Sequence, residues 1–437
     1  MTATAVLLAA GLGTRMKSSL PKALHRIAGR PMLQHLLQSC EAVFDRIVVV
    51  VGPGMEDVAA AAAPHQVVVQ ADRLGTAHAA LQAAPFFGDG DVAVLYADNP
   101  LIRPDTMTRL LAQRRDGQTG LVLLAMRPED PARYGRVIMA GKSVLRVVEW
   151  ADATLDERAV GLCNAGVLCA SATDFARWLQ AVQPSPAKNE YYLTDCVALA
   201  VAEGMRVAAV EAPYTELRGI NSRAELADAE ATVQAWLRRA AMDGGATLTA
   251  PDTVFLSVDT VLHPDVTVGP HVMFGLGVEV ASGTEIRPFS HLEGCRVGPG
   301  ALIGPYARLR PGTVVEAGAH VGNFVELKAS TLGAGSKANH LSYIGDSTVG
   351  PGSNIGAGTI TCNYDGYAKH RTTIGAGVFV GTHATLVAPV TLGDNSFVAA
   401  GSVVTHDVAP DAMAFGRAPQ VDKPGRAATF RASRRKP

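Results

Sequence analysis

Close to the start of the chain, an aliphatic run ends in Leu8-Ala9-Ala10-Gly11-Leu12-Gly13-Thr14-Arg15-Met16, with Pro21-Lys22 just behind it. Glycines let backbone N–H groups approach a phosphate, and Arg15 and Lys22 can neutralise its charge, so the fit is to a polyphosphate. A tight strand-to-helix turn is the plainer reading of a glycine pair alone, and the two cations downstream add weight to the phosphate reading. The loop is not a Walker A, having no GxxxxGK[ST], and Gly11-Leu12-Gly13 lacks the third glycine of a dinucleotide fingerprint, so kinase and dehydrogenase chemistry lose support. A second concentration of polar residues lies much later, in Lys328, in Ser336 to Tyr343 and in Asn363 to Lys369. These stretches interrupt a regular aliphatic spacing, and Asn, Tyr and Lys cannot join a dry stack, so they are expected to face solvent or a ligand.

Different elements must hold the two groups. In the first half, Thr4 to Ala10, Arg46 to Val51, Gln66 to Val69, Val92 to Tyr96 and Leu121 to Ala125 read as buried strands, while residues 31–42, 55–63, 76–84 and 104–114 carry helical spacing. That alternation predicts an α/β fold with a mostly parallel sheet, helices on both faces, and ligands outside the carboxyl ends of the strands. Farther on, an aliphatic residue recurs every six positions at Val297, Ile303, Leu309, Val315, Val321 and Leu327, and again at Ile374, Val380, Leu386, Leu392, Val398 and Val404. A period of six fits neither helix nor flat strand and predicts a triangular parallel β-helix of hexapeptide repeats, its aliphatic side chains stacked inside. Phase is lost between Leu327 and Ile344 and again between Ile355 and Ile374, which is where the polar stretches lie. Between the halves, Ser222 to Met242 followed by Gly244-Gly245 reads as a linker helix and its stop.

Composition bounds the partners. A chain of 437 residues exceeds one ordinary core, and 26 of its 44 glycines fall in residues 261–437, so two architectures are expected. Charge nearly cancels, 39 Lys+Arg against 40 Asp+Glu, which leaves no bulk field for nucleic acid or an anionic membrane. No run approaches the length of a membrane span and the N-terminus lacks a basic n-region, so a cytoplasmic protein is expected. The six cysteines form no CxxC pair and suggest neither a disulfide framework nor zinc. The basic end, Arg431, Arg434, Arg435 and Lys436, reads as a solvated terminus without a partner.

LAAGxGTRM…PK resembles the signature of sugar-1-phosphate nucleotidylyltransferases. The resemblance implies that Leu8, Ala9, Ala10, Gly11, Lys22, Gln70, Gly75, Thr76, Tyr96, Ala97, Asp98, Gly135, Glu149, Asn164 and Asn221 bind nucleotide and sugar. It further implies Asp98 and Asn221 as ligands of Mg²⁺ and Arg15 and Lys22 as charge-neutralising catalytic groups. The second half resembles hexapeptide acyltransferases, which implies a left-handed coil and a homotrimer. Nearly end to end, the chain is similar to the bacterial bifunctional uridylyltransferases/N-acetyltransferases that make UDP-N-acetylglucosamine for peptidoglycan and lipopolysaccharide. That resemblance implies His340 as general base for acetyl transfer to glucosamine-1-phosphate, with Arg310, Lys328, Tyr343, Asn354 and Lys369 on the sugar phosphate. Ala357, Asn363, Tyr364, Thr382, Ala400 and Arg417 would line the acetyl-CoA path. Thr382 stands where serine is usual, Asn99 where an apolar residue or Thr is familiar, and Leu12 where lysine often occurs; none removes a catalytic group.

The expected organisation is a Rossmann-like nucleotidyltransferase domain over 1–223, a linker helix over 224–245, and a left-handed hexapeptide-repeat acetyltransferase domain over 246–437. The expected activity is acetyl transfer from acetyl-CoA, then Mg²⁺-dependent uridylyl transfer from UTP with release of pyrophosphate. Its main alternative is a single-activity nucleotidylyltransferase whose β-helix only oligomerises. A zinc hydratase on the same β-helix would instead need three converging imidazoles.

Overall fold

The computed structural model describes residues 2–185 and 190–434, which fall into two compact units, 1–234 and 235–437. The first unit is built on a sheet whose strands run, in spatial order, Arg206–Glu211, Thr119–Met126, Cys163–Ser171, Asp91–Tyr96, Ala3–Leu8, Arg46–Val51 and Gln66–Val69. All neighbours are parallel except Cys163–Ser171, which is antiparallel to both of its partners. A hairpin of Arg136–Ala140 and Ser143–Val148 hangs from that strand.

The strands are apolar on both sides because both sides are covered. Along the first strand, Ala3, Ala5 and Leu7 point into one core with Leu33, Leu36, Met107 and Leu110 of the helices Met32–Glu41 and Pro104–Arg114. Val6 and Leu8 point into the other, with Ala80, Phe175 and Trp178 of the helices Thr76–Gln82 and Ala172–Ala181. Burial of each large side chain contributes about 1.5–3 kcal/mol, so the alternation is enforced at every position. From Ala3–Leu8 the chain steps outward through Arg46–Val51 to Gln66–Val69, then returns to lay Asp91–Tyr96 on the opposite side of the first strand. The carboxyl ends of Ala3–Leu8 and Asp91–Tyr96 therefore flank a topological switch point, where a crevice opens.

Helix Arg223–Asp243 follows, and Gly244 and Gly245 end it, Gly245 in the left-handed region with φ +95°. The second unit is a three-faced parallel β-helix, its faces being ladders of 10, 8 and 8 short strands. Val268, Ile286, Ile303, Val321, Ala338, Ile355, Val380 and Val398 lie in register on one face and are buried in a single core.

Two features differ from the sequence reading. The stack begins well before Val297, with Leu248, Val268, Phe274, Val280, Ile286 and Leu292 already pointing inward. The step from Leu292 to Val297 is five residues rather than six, and this shift hid the earlier repeats. Second, Leu327 to Ile344 does not leave the coil: Leu332, Ala338 and Ile344 are all buried in the stack, and one five-residue side produced the apparent loss of phase. Lys337, Asn339, His340 and Tyr343 are outward members of regular strands, whereas Ser336 and Ser342 are buried between strands, their hydroxyls donating to Gly350 C=O (2.7 Å) and His340 C=O (2.9 Å). Only 363–371 departs, as a loop closed by an isolated bridge between Tyr364 and Lys369.

The six cysteines are unpaired thiols, five of them buried. Arg431 and Arg434 are exposed at the end of helix Arg426–Ala432, while Arg435 and Lys436 lie outside the described residues. Among the described residues no helix is long and apolar enough to cross a membrane.

Candidate active sites

The crevice of the first unit holds two adjoining cavities of about 230 and 600 Å³. The smaller is walled by the backbone of Leu8 to Gly11, by Lys22, Gln70, Gly75 and Thr76, and by Tyr96 to Asp98. The larger is lined by Arg15, Gly135, Glu149, Asn164 and Asn221, and it shares Thr76, Tyr96 and Asp98 with the first. Residues as distant in sequence as Arg15 and Asn221 thus border one continuous space.

Local chemistry accounts for the positions. Ala9 N–H still donates to Val50 C=O (2.8 Å), after which Gly13 turns through the left-handed region and a 3₁₀ turn carries Arg15. Gly75, at φ +116°, packs against the backbone of Tyr191; a Cβ there would lie 2.5 Å from its carbonyl oxygen. This close approach seats Thr76 at the start of helix Thr76–Gln82, where its Oγ1 accepts from Leu193 N–H (3.0 Å). Gln70 Nε2 donates to Gly75 C=O (3.1 Å), joining the two parts of one wall. Tyr96 is pressed against Gly166, and burial pushes its phenol pKa up, so the hydroxyl keeps its proton.

Asp98 follows the strand end, and the turn is held by Ile220 N–H on Asp98 C=O (2.8 Å) and by Asn99 Nδ2 on Leu217 C=O (2.6 Å). Asn99 therefore braces the turn through its Nδ2, and it also lines the larger cavity. Asp98 Oδ2 and Asn221 Oδ1 converge on one cation, the ammonium of Lys22, which pairs closely with Asp98 and lies 2.9 Å from Asn221. Leu12 is exposed.

In the second unit, His340 ends strand Lys337–His340 at a corner of the prism and is exposed. Its Nδ1 lies 2.6 Å from Asn323 Oδ1, one coil earlier and in register with it. An amide oxygen can only accept, so Nδ1 carries the proton, and in the neutral ring the lone pair is on Nε2. The corner continues along the axis: Leu341 N–H bonds Asn323 C=O, Gly358 N–H bonds His340 C=O, His383 N–H bonds Ala357 C=O, and Gly401 N–H bonds Thr382 C=O. Asn323, His340, Ala357, Thr382 and Ala400, each two residues past a stacked aliphatic, therefore form one column.

Tyr343 begins the strand just around that corner, beside Arg310 and Lys328 on the same face. Lys328 Nζ contacts both oxygens of Asp346 (3.0 and 3.2 Å), and Asn363 Nδ2 bonds Asp346 and Tyr343 Oη. Burial alone would raise the Asp346 carboxyl, but the hydrogen bonds from Lys328 and Asn363 outweigh it and hold it below the usual aspartate value. Arg310 pairs with Glu326 (2.9 Å). Lys369 stands beside Lys328, which holds its pKa below the ordinary lysine value. Asn354 is on the neighbouring face, in register with Lys337. Tyr364 is exposed on the departing loop, and Arg417, also exposed, approaches Gly401. No three His, Cys, Asp or Glu side chains cluster as metal ligands among the described residues, which leaves the zinc-hydratase alternative without a ligand set there.

Residues 5–166 match the MobA-like NTP transferase domain family, and residues 371–406 match the bacterial transferase hexapeptide (six repeats) family. Over 438 residues the chain is 70% identical to the bifunctional protein GlmU of Gluconacetobacter diazotrophicus, covering 99% of this chain and 95% of that one. It is 61% identical to the bifunctional protein GlmU of Acidiphilium cryptum, covering 99% of each, and 62% identical to that of Granulibacter bethesdensis, covering 98% and 96%. The chain belongs to the bifunctional GlmU family.

The two matched segments fall one in each unit, and the three parallel ladders with a hexapeptide match are consistent with the left-handed coil expected of the second. Several residues beside the two candidate sites escaped the sequence reading. Arg73 lines the smaller cavity, donates from Nε to Ala10 C=O (2.9 Å) and lies across Gly52. It stands between Gln70 and Gly75, so its place in that segment was the available signal. Asn323 and Asp346 were missed for a different reason. Counting back one coil of 17 residues from His340 gives Asn323, whereas nothing in the spacing marks Asp346.

Proposed function

We propose that this chain makes UDP-N-acetylglucosamine by two transfers in series, at sites in separate units. The column that joins His340 to Asn323, Ala357, Thr382 and Ala400 carries the reading, because a β-helix serving only to oligomerise needs no oriented imidazole there.

In the first transfer the amine nitrogen of glucosamine-1-phosphate attacks the thioester carbon of acetyl-CoA. The N–C bond forms, the C–S bond breaks, CoA departs with the sulfur's electron pair, and His340 Nε2 accepts the proton shed by the amine. Arg310, Lys328 and Lys369 supply charge for the sugar's phosphate; a phosphate dianion relieves the repulsion between the two lysines, which strengthens binding. Tyr343 and Asn354 take the hydroxyls, and Ala357, Asn363, Tyr364, Thr382, Ala400 and Arg417 border the acetyl-CoA path.

In the second transfer a phosphate oxygen of N-acetylglucosamine-1-phosphate attacks the α-phosphorus of UTP in line and pyrophosphate leaves. Gln70, Gly75 and Thr76 receive the base, the Leu8 to Gly11 backbone with Arg15 and Lys22 holds the phosphates, and Gly135, Glu149 and Asn164 hold the sugar. Asp98 and Asn221 would hold Mg²⁺, since their oxygens already share a cation and hard oxygen donors suit it. When bound, Mg²⁺ neutralises phosphate charge during the transfer. Positioning and charge suffice, so no covalent enzyme intermediate forms.

A homotrimer belongs to the same proposal. Supporting it, His271, Phe289, Tyr306 and Phe324 stack 4.9–5.1 Å apart along the corner beside Asn323, and the last three rings are exposed. Such a stripe suits burial against another copy. A cytoplasmic location is proposed with it, as the compartment that holds UTP and acetyl-CoA. The test supplies glucosamine-1-phosphate, acetyl-CoA, UTP and Mg²⁺, omitting each in turn. UDP-N-acetylglucosamine formed only from the full set, with His340→Ala losing acetyl transfer alone, is expected; wild-type protein without acetyl transfer would establish the single-activity alternative.

A further inference from the structure

We infer that Lys22 is the resident counter-ion of the metal notch, and that metal entry and phosphate capture are a single exchange of cations. The inference rests on the reading of Asp98 and Asn221 as the metal's ligands. Lys22 Nζ pairs with Asp98 Oδ2 and lies 2.9 Å from Asn221 Oδ1, with the Lys22 and Asp98 side chains only 16% and 20% exposed. The notch is fixed by backbone. Glu225 Oε2 accepts from Asn221 N–H (2.5 Å) and Ser222 N–H (2.8 Å), and Ile220 N–H ties Asp98 C=O. Lysine is the adjustable part. Its stem passes over Gly13, where a Cβ would sit 2.6 Å from Lys22 Cβ, so a side chain at position 13 would obstruct it.

A divalent metal binds such oxygens at about 2.1 Å, and an ammonium occupying the same two oxygens blocks that position. Metal entry therefore expels Lys22. The freed ammonium borders the cavity walled by Leu8 to Gly11, where the triphosphate is the nearest anion. Without nucleotide, the metal must break an ion pair and leave the lysine unpaired. With nucleotide, the lysine exchanges one anionic partner for another. Metal affinity is therefore low until nucleotide arrives, and the lysine couples the two events.

The test titrates Mn²⁺ into the full-length protein without nucleotide, reading free metal by electron paramagnetic resonance. Lys22→Met is expected to bind Mn²⁺ about fivefold tighter or more, the equivalent of one partly buried ion pair no longer broken. Arg15→Met removes the same charge from the neighbouring cavity without vacating the notch and is expected to stay within about twofold of wild type. Unchanged or weaker binding by Lys22→Met, or an equal gain in Arg15→Met, overturns the exchange. Adding Asp98→Ala to Lys22→Met separates this from the underlying reading. Loss of the tightened binding supports the notch, and its retention overturns Asp98 as a ligand. Thermal unfolding checks each variant, with Lys22→Gln replacing Lys22→Met if the latter fails to fold.

Discussion

Replacing Asn323 with alanine deletes the 2.6 Å hydrogen bond that fixes the tautomer of His340. In the resting enzyme such a bond contributes about 0.5–1.5 kcal/mol, and once the ring has taken the amine's proton the same bond becomes charge-assisted and roughly twice as strong. The loss should therefore be felt mainly in the transition state. At about 1.4 kcal/mol per tenfold, the transition-state increment of about 0.5–1.5 kcal/mol should lower the acetyl-transfer kcat about 2- to 10-fold, with KM for acetyl-CoA and for glucosamine-1-phosphate within about twofold. His340→Ala should cost the full general-base contribution, about 10²- to 10⁴-fold. Thiol release followed with a disulfide reagent measures acetyl transfer, and pyrophosphate release measures uridylyl transfer, which both variants should leave intact. An Asn323→Ala enzyme with unchanged kcat, alongside an inactive His340→Ala, would refute the orienting role of the column.

Gly75→Ala should destabilise the first unit by about 2–4 kcal/mol and raise KM for UTP, because a Cβ at φ +116° would lie 2.5 Å from the Tyr191 carbonyl. Calorimetry and uridylyl-transfer kinetics measure both effects, and wild-type values in each would count against the close approach. For Asp346, the folded pKa lies below the unfolded one, so its contribution is present above about pH 4 and is lost as pH falls through the lowered value. Wild type should exceed Asp346→Asn in urea midpoint at pH 7, with the gap closing on acidification; a gap constant from pH 7 to 2.5 would contradict the ion pair.

The glycine loop with Arg15 and Lys22 stood out in the sequence because the features a phosphate site needs, backbone proximity and nearby charge, are local properties of a short segment, and the structure places that loop and Lys22 on the wall of one cavity. Gln70, Gly75-Thr76 and Asp98 each looked ordinary alone, and resemblance alone singled them out. In the second unit the six-residue period revealed the stack from Val297 onward. The five-residue steps at Val297 and Leu332 concealed its beginning and made a regular coil look like an excursion.

Sequence by itself determined the two architectures, because strands buried on both faces and alternating with helices, and a stack that buries one side chain in about every six, each leave a mark on the chain. It also determined which residue types were available for phosphate and proton chemistry. Tertiary structure alone decided which of them meet. Asn221 reaches Asp98 across 123 positions because Ile220 is tied to the Asp98 carbonyl, and Asn323 reaches His340 because the turn of the coil between them is 17 residues long. Those distances are set by strand order and coil length, which belong to the packed chain as a whole and to no segment of it.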